Sequence, residues 1–298
     1  SVSRRYIRDM QAGGVELYPY YNYWSPFKLH TVSYRNHRKI VVIDGHIGYM
    51  GGLNMSQEHL DGGQHFDSWR DTHLRLEGEA VRVLQGIFVT SWYNTTGEKL
   101  PIPTYFPPLP PDFAGYLPIQ ITTSGPDSQW RAIRQLYFLM IMAAEKHLYI
   151  QSPFFIPDES ILEALNAATL AGIDVKLMFA PRGTSYSIPY WAANTYFVDM
   201  VQAGARVFLY QKGYFHPKTV SIDSAVCSIG TANMDVRSFS INYEVNAVIY
   251  DDETAQKLEQ DFLRDLEYCT EFSLAEYEAR PVLLRLRDSV CRLVSPLL

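Results

Sequence analysis

The sequence predicts an α/β protein made of two pseudo-symmetric lobes with one site between them. Two observations predict this fold. Residues 36–56 and 215–235 repeat one another without a gap, at an offset of 179 residues (37 to 216). Strand-like and helix-like segments also alternate along the chain, as they do in layered α/β folds. We expect each lobe to be a mixed sheet covered by helices.

The repeat predicts a strand pair in each lobe. KIVVIDG and IGYMGG in the first copy, and KTVSID and VCSIGT in the second, are rich in β-branched residues. The dipeptides Asp44-Gly45 and Asp223-Ser224 predict the turns between them. Just upstream, both copies contain Q-A-G, which predicts a helix that ends at glycine. The segments VELY and RVFLY that follow are predicted strands.

Most of the remaining elements are predicted in the second half. Residues 129–146 and 158–172 show helical periodicity, and the second of these has an acidic first turn and a C-terminal glycine. Residues 147–152 and 174–180 are predicted strands. This order of strands and helices favours a helix-covered sheet.

The predicted domain boundary lies in KLPIPTYFPPLPPDFAGYLP, where seven prolines disfavour regular structure. We assign residues 1–98 to an incomplete first lobe, 99–116 to a Pro-rich linker and 117–298 to the second lobe. The second lobe has about 100 residues before its motif and the first has 36. We therefore expect the first lobe to be truncated at its N-terminus.

Composition narrows the functional classes. The net charge is -6 and the pI about 5.8, so no basic stripe indicates a nucleic-acid partner. The three cysteines have no metal-ligand spacing, which favours reduced thiols in a reducing compartment. No run of 18 apolar residues occurs, so the sequence predicts no transmembrane helix.

The residues shared by the two copies are types that do chemistry. Each copy has histidine, lysine and aspartate spaced as H-x-K-x4-D, followed by glycine and asparagine. They are His37, Lys39, Asp44, Gly51 and Asn54 in the first copy, and His216, Lys218, Asp223, Gly230 and Asn233 in the second. One copy alone is a weak signal. Two copies indicate one site assembled from both lobes.

Such a site suits a phosphate group. Lys39 and Lys218 can hold its oxygens, and Asn54 and Asn233 can complete the cradle. One histidine can attack phosphorus, while the other protonates the leaving alkoxide and later deprotonates the acceptor hydroxyl. The lysines neutralise the phosphate charge, so no metal or cofactor is expected. The aspartates of the motif fall on the opposite strand face or in a turn, so we predict structural roles for Asp44 and Asp223.

The doubled motif with its G-x-x-N continuation resembles the phospholipase D superfamily. Several stretches are similar to bacterial cardiolipin synthases, among them WRDTHLRLEGEAV, LYIQSPFFIPDESILEAL and GTANMDVRSFSINYEVNAVIYD. The resemblance implies transfer of a phosphatidyl group from one phosphatidylglycerol to another, with release of glycerol through a phosphatidyl-histidine. It also implies that His37 is the nucleophile, with His216 as acid and base, and that Asp71 and Glu244 orient the histidines. A hydrolase, a phosphatidylserine synthase, a nuclease and an inactive lipid-binding scaffold remain alternatives.

The resemblance further implies a phospholipid substrate and a membrane surface as partners. It places the protein at the bacterial inner membrane, with the catalytic part in the cytoplasm, and leaves a homo-oligomer open. Three segments are candidates for lipid contact: YPYYNYWSPF at 18–27, YFPPLPPDFAGYLP at 105–118 and the amphipathic C-terminal helix at 281–298. The remaining histidines are interpreted as surface or packing residues, although His59 and His65 follow the first motif closely and could line the entrance to the site.

Overall fold

The fold is known from a computed structural model. It describes residues 3–20, 34–63, 65–109, 115–181 and 187–295. Most of the aromatic segment at 18–27 lies outside these ranges, as does the middle of 105–118. The predictions of lipid contact by these two segments therefore fall largely on residues that the structure does not describe.

The strands occur in both halves of the chain. In chain order they are β1 (Ile40–Ile43), β2 (Ile47–Gly51), β3 (Trp69–Arg70), β4 (His73–Glu77), β5 (Ile119–Ser124), β6 (His147–Ser152), β7 (Phe155–Ile156), β8 (Asp174–Phe179), β9 (Arg206–Tyr210), β10 (Tyr214–Phe215), β11 (Thr219–Ile222), β12 (Val226–Gly230), β13 (Met234–Asp235), β14 (Glu244–Tyr250) and β15 (Cys269–Glu271).

The helices alternate with these strands. They are α1 (Arg4–Ala12), α2 (Glu58–Asp61), α3 (Glu79–Thr96), α4 (Ile102–Tyr105), α5 (Ala132–Ala143), α6 (Glu159–Leu170), α7 (Ile188–Ala203), α8 (Val236–Ser240), α9 (Asp252–Asp265), α10 (Leu274–Glu278) and α11 (Val282–Val294), with a 3₁₀ turn at Leu266–Tyr268.

One large mixed sheet organises the second half. Its strand order is β15-β9-β8-β6-β11-β12-β14-β5. The strands β6, β8 and β9 are parallel, and the other pairs are antiparallel. The helices α5, α6 and α7 contribute to the main apolar core on one side, while α9 packs beside β12. The predicted α/β fold of this lobe is confirmed.

The first half contains a smaller sheet, and here two expectations were wrong. The described residues form an antiparallel sheet of order β1-β2-β4, whereas a mixed sheet was expected. Residues 15–18, the predicted strand VELY, are not in a strand. A segment of four residues cannot hold a strand without a neighbouring strand to bond. The small sheet packs with α3 against β14 through a shared cluster of Met50, Leu76, Val81, Leu84, Val245 and Ala247.

The equivalent strands β1 and β11 differ in their neighbours. Strand β11 lies between β6 and β12, whereas among the described residues β1 pairs only with β2. Val220 and Ile222 of β11 are 1% and 7% exposed, but the matching Val41 and Ile43 of β1 are 41% and 44% exposed. Within the described residues, the sheet of the first lobe therefore ends at β1, whereas the sheet of the second lobe continues from β11 to β6.

The Pro-rich segment packs against the first lobe. It contains the one-turn helix α4, although seven prolines led us to expect no regular structure. Two of these prolines lie at the start of the helix, where a backbone N–H has no partner within the helix and its loss costs little. Arg82 donates to the carbonyl of Pro107 at 2.8 Å. A Cβ on Gly45, whose φ is +70°, would lie 2.5 Å from the Pro107 ring. The first hairpin turn and this segment therefore fit closely together.

The C-terminal helix α11 packs on α7. Arg292 bonds Asp199 at 2.7 Å and Asn194 donates to Asp288 at 2.9 Å. The apolar residues that the sequence placed on one face of this helix are all exposed; they are Leu283, Leu286, Val290 and Leu293. In the part of the chain that is described, no helix combines the length and the apolar character needed to cross a membrane. The three cysteines are free thiols.

The predicted hairpin turns are confirmed. Asp44 and Asp223 have φ of 53° and 55°, and each is followed by a second residue with positive φ. Two consecutive positive φ angles are typical of type I′ hairpin turns. The Asp223 carboxylate also accepts from the backbone N–H groups of 145, 146 and 147, at 2.8 to 2.9 Å. It therefore ties this hairpin to the start of β6.

We predict that Asp223→Asn lowers the free energy of unfolding by about 1–3 kcal/mol, because an amide NH₂ would face backbone donors that the carboxylate now satisfies. Asparagine tolerates the left-handed φ, so the turn itself is not strained. The matched variant Asp44→Asn, at an exposed turn, should change stability by less than about 0.5 kcal/mol. Urea denaturation measures both values; equal effects would contradict this role of Asp223.

Candidate active site

Each H-x-K segment is held by the opposite half of the chain. The N–H of His37 donates to the carbonyl of Tyr243 at 3.0 Å, and the N–H of His216 donates to the carbonyl of Arg70 at 2.8 Å. Both segments precede their strands, β1 and β11, and are not inside them as the sequence pattern predicted. The reason is that each segment pairs sideways with the other half before its own hairpin begins.

The two carboxylates are exchanged between the halves. His37 Nδ1 lies 2.9 Å from both carboxylate oxygens of Glu244, and His216 Nδ1 lies 2.8 Å from Oδ2 of Asp71. The side chains of Glu244 and Asp71 are 0% and 1% exposed. Each histidine thus has its ring fixed by a buried carboxylate from the other lobe. With Nδ1 engaged, Nε2 is the nitrogen left for a substrate.

Burial sets the protonation of the second histidine. Desolvation, with help from the Lys218 charge, lowers the pKa of His216 to about 3, so the free site holds it neutral. Burial alone would raise the pKa of Asp71, but the hydrogen bond with His216 and the charge of Lys218 bring it below its ordinary value. The pKa of Glu244 is likewise lowered, because His37 and Lys39 outweigh its burial. Both carboxylates are therefore ionised at neutral pH.

The two lysines lie beside these pairs. Lys39 Nζ donates to the carbonyl of His37 at 2.7 Å, and Lys218 Nζ donates to the carbonyl of His216 at 2.6 Å. Desolvation lowers the pKa of Lys39 to about 8 and that of Lys218 to about 7, although Glu244 and Asp71 oppose the shift. Because each ammonium interacts with carboxylates of both lobes, the two halves form one cluster of charges.

Three further polar groups hold Glu244. The hydroxyls of Thr231 and Ser238 donate to its carboxylate at 2.5 and 2.8 Å, and the Asn242 amide donates at 3.2 Å. No role for Thr231, Ser238 or Asn242 was predicted from the sequence. Position along the chain was their only signal: Thr231 lies within the repeat, and Ser238 and Asn242 lie between the repeat and Glu244.

The two asparagines of the motif have different surroundings. Asn233 is buried; its amide donates to Asp235 at 3.1 Å, and its Oδ1 has no hydrogen-bond partner among the described residues. Asn54 is exposed, and its side-chain amide lies 3.0 Å from Nε2 of His59. Both flank the histidine pairs, and a role in holding phosphate stays a prediction.

His59 also reaches the site, where its closeness to the first motif suggested only that it could line the entrance. Nitrogen and oxygen atoms of His59, Asp71 and His216 that could ligate a metal lie within 4.8 Å of one another. This spacing would suit a metal ion, but the facing atoms of Asp71 and His216 already form a hydrogen bond with each other. The group is therefore a network of the Asp71–His216 hydrogen bond and the His59 ring that packs beside it. The motif aspartates Asp44 and Asp223 lie at the far ends of β1 and β11, away from this network.

Comparisons with known proteins identify relatives of this chain. Residues 137–266 match the family described as cardiolipin synthase, PLD-like domain. The chain is 45% identical over 298 residues to a cardiolipin synthase of Geobacillus thermodenitrificans (strain NG80-2), covering all of this chain and 59% of that protein. It is 41% identical over 304 residues to the major cardiolipin synthase of Bacillus subtilis (strain 168), covering 62% of that protein.

Residues 137–266 therefore match a PLD-like domain, and the chain is similar to cardiolipin synthases along its whole length. A solved structure of phosphatidylserine synthase from Haemophilus influenzae Rd KW20 shares the fold, with a TM-score of 0.67 at 14% identity, over 90% of this chain and 72% of that one. The predicted fold class is thereby confirmed. The chain spans about 60% of the length of the curated relatives named above.

We predict that the exchanged carboxylates act on the opposite lobe's histidine. Asp71→Asn should shift the ring-nitrogen NMR signals of His216 and leave those of His37 near their wild-type values, because Asp71 bonds the ring of His216 whereas Glu244 bonds that of His37. Glu244→Gln should do the reverse. Both variants keep side-chain size, so circular dichroism should show an intact fold. Shifts at the histidine of the same lobe would contradict this arrangement.

Proposed function

We propose that this chain carries the catalytic site of a cardiolipin synthase. The site joins a phosphatidyl group from one phosphatidylglycerol to the terminal hydroxyl of a second and releases glycerol. The observation that carries this proposal is the crossed pair of histidines, each bound through Nδ1 to a buried carboxylate of the other lobe. Identities of 41% and 45% to cardiolipin synthases support the choice of reaction.

The first half-reaction forms a covalent intermediate. Nε2 of His37 attacks phosphorus and forms an N–P bond, while the P–O bond to glycerol breaks. His216 donates a proton to the departing glycerol oxygen. His216 is neutral in the free site. Entry of the negative phosphodiester favours protonation of this ring from solvent, and the Asp71 carboxylate then stabilises the imidazolium.

The second half-reaction releases the product. The neutral His216 accepts the proton from a hydroxyl of the second phosphatidylglycerol, and that oxygen attacks phosphorus. The N–P bond breaks and returns its electron pair to His37, so the free enzyme is regenerated. Water or another alcohol at the same place would give phosphatidic acid or a different lipid; the hydrolase and the phosphatidylserine synthase therefore remain distinguishable outcomes.

The two lysines neutralise the phosphate charge through both steps. Their burial makes each ammonium costly in the free site, which is why the pKa of Lys39 falls to about 8 and that of Lys218 to about 7. A bound tetrahedral anion supplies the missing counter-charge and favours their protonated forms. Occupancy by anion and protonation of the lysines are therefore coupled.

We predict that sulfate binds more weakly as pH rises. At pH 6 both ammonium groups are charged, whereas at pH 9 both are largely neutral in the free site, so affinity should fall at least about tenfold between these values. Sulfate keeps its own charge over this range. Isothermal titration calorimetry at constant ionic strength measures the change. Lys218→Met should remove the part of the dependence centred near pH 7; an affinity independent of pH in the wild type would contradict the lysine role.

We predict that the protein converts phosphatidylglycerol in vesicles to cardiolipin and glycerol, and that His37→Ala and His216→Ala each reduce turnover by about 10⁴-fold or more, because they remove groups that act on the reacting bonds. Thin-layer chromatography or mass spectrometry of the lipids gives the result. The matched control is His65→Ala, an exposed histidine, which should turn over normally.

The products decide between the alternatives. Phosphatidic acid alone would replace the synthase by a hydrolase, and no lipid product would favour a lipid-binding scaffold. In His216→Ala, a p-nitrophenyl phosphodiester should still phosphorylate His37, because this leaving group needs no proton. Phosphate on His216 in the His37→Ala variant would reverse the two roles.

We also propose that the protein works at the surface of the bacterial inner membrane. The exposed apolar residues of α11, which include Leu283, Leu286 and Leu293, support contact with lipid. The three free cysteines support a reducing compartment, with the catalytic site on the cytoplasmic side. Catalysis by this chain needs no metal or cofactor in the proposed steps.

A further inference from the structure

His59 occupies the position in the first lobe that Ser238 occupies in the second. The repeat offset that aligns His37 with His216 also aligns 59 with 238. The structure keeps the correspondence. The N–H of Asn54 donates to Nδ1 of His59 at 3.2 Å, and the N–H of Asn233 donates to Oγ of Ser238 at 3.0 Å. The two side chains thus make the same contact in equivalent places.

The carboxylates beside them are equivalent as well. The N–H of Gly52 donates to the carbonyl of Thr72 at 3.0 Å, and the matching Thr231 donates to the carbonyl of Val245 at 2.9 Å. These bonds put Thr72 and Val245 in equivalent positions. The residues directly before them, Asp71 and Glu244, are therefore equivalent as well. Ser238 donates to Glu244 at 2.8 Å, while the imidazole of His59 lies 4.0 Å from Oδ2 of Asp71.

Side-chain lengths compensate in the two lobes. The second lobe combines a short serine with a glutamate, and the first combines a longer histidine with an aspartate, which is one methylene shorter than glutamate. The first lobe also has glycine at 52, where a Cβ would lie 1.9 Å from Oδ1 of Asp71. Asp71 therefore approaches the backbone, and the His59 ring fills the space that a longer carboxylate would take.

The surroundings of His59 hold it as a neutral, closely packed ring. Its side chain is 5% exposed, and its ring centroid lies 4.0 Å from that of Trp69 and 5.5 Å from that of His216. Burial lowers its pKa; Asp71 and Glu58 oppose this shift, while Lys218 and Lys39 add to it. A neutral imidazole can accept from Asn54 without adding charge beside the Asp71–His216 pair.

We propose that His59 is the positioning residue of the His216 half of the site, holding Asn54 and shielding the Asp71–His216 hydrogen bond from water as Ser238 supports Glu244 and His37. This inference rests on the proposed function, in which His216 moves the proton. His59 itself does not touch the reacting atoms in this scheme. It acts through the orientation and desolvation of its neighbours.

The test uses His59→Ala, His59→Ser, Asp71→Glu and the double variant His59→Ser/Asp71→Glu in the full chain. The double variant rebuilds the serine–glutamate pair of the second lobe. His65→Ala is the control, since it removes an exposed histidine nearby in sequence. Two readouts are measured: turnover of phosphatidylglycerol vesicles against pH, and the titration of His216 by ¹⁵N NMR. Circular dichroism establishes that each variant is folded.

His59→Ala should reduce turnover by about 10- to 100-fold. It should also raise the pKa of His216 by at least about one pH unit, because water then reaches a ring whose pKa is lowered mainly by burial. The double variant should exceed the turnover of each of its single variants by at least about tenfold, since the two changes are coupled. His65→Ala should match the wild type in both readouts.

An unchanged His216 titration and unchanged turnover in folded His59→Ala would overturn the proposal. A double variant no better than its worse single variant would overturn the length compensation. Should the wild type make no lipid product, the proposed reaction fails, but the NMR titration still decides whether His59 positions His216. Failure of the reaction and failure of this inference are thus separate results.

Discussion

The crossed histidine–carboxylate hydrogen bonds are the constraint on which the rest of the structure depends. Glu244 and Asp71 are buried and charged, and a buried charge without a partner costs several kcal/mol. Each finds its partner, His37 or His216, in the opposite half. The apolar contact between the small sheet and β14 brings the halves together, but the exchanged pairs fix their register because only one alignment satisfies both carboxylates.

The same constraint explains how one lobe's backbone serves the other. Neither H-x-K segment is part of its own sheet at the point where its histidine occurs, and each is steadied by a carbonyl from the other half, of Tyr243 or Arg70. Polar side chains then surround each carboxylate. The polar side chains around the carboxylates differ in size between the two halves. The pseudo-symmetry therefore holds for the reacting groups but not for the residues that surround the carboxylates.

Much of this arrangement could be predicted from the sequence, because a motif that occurs twice is far more specific than a single match. The hairpins, their Asp-initiated turns and most second-lobe elements follow from local patterns and are confirmed. The prediction of a strand at 15–18 was wrong, since so short a segment needs a neighbouring strand to bond. The exchange of Asp71 and Glu244, and the contact of His59 with the His216 half of the site, could not be predicted, because spacing along the chain does not tell which lobe a side chain faces.

The edge of β1 that has no partner strand among the described residues has a consequence of its own. Strand β1 shows two half-exposed β-branched side chains, Val41 and Ile43, where its counterpart β11 is enclosed on both sides. An unpaired strand edge of this kind is a template for one more strand. Any polypeptide that docked there would make the two hairpins alike in their bonding, and it would stiffen the segment that carries His37 while leaving the other catalytic ring untouched.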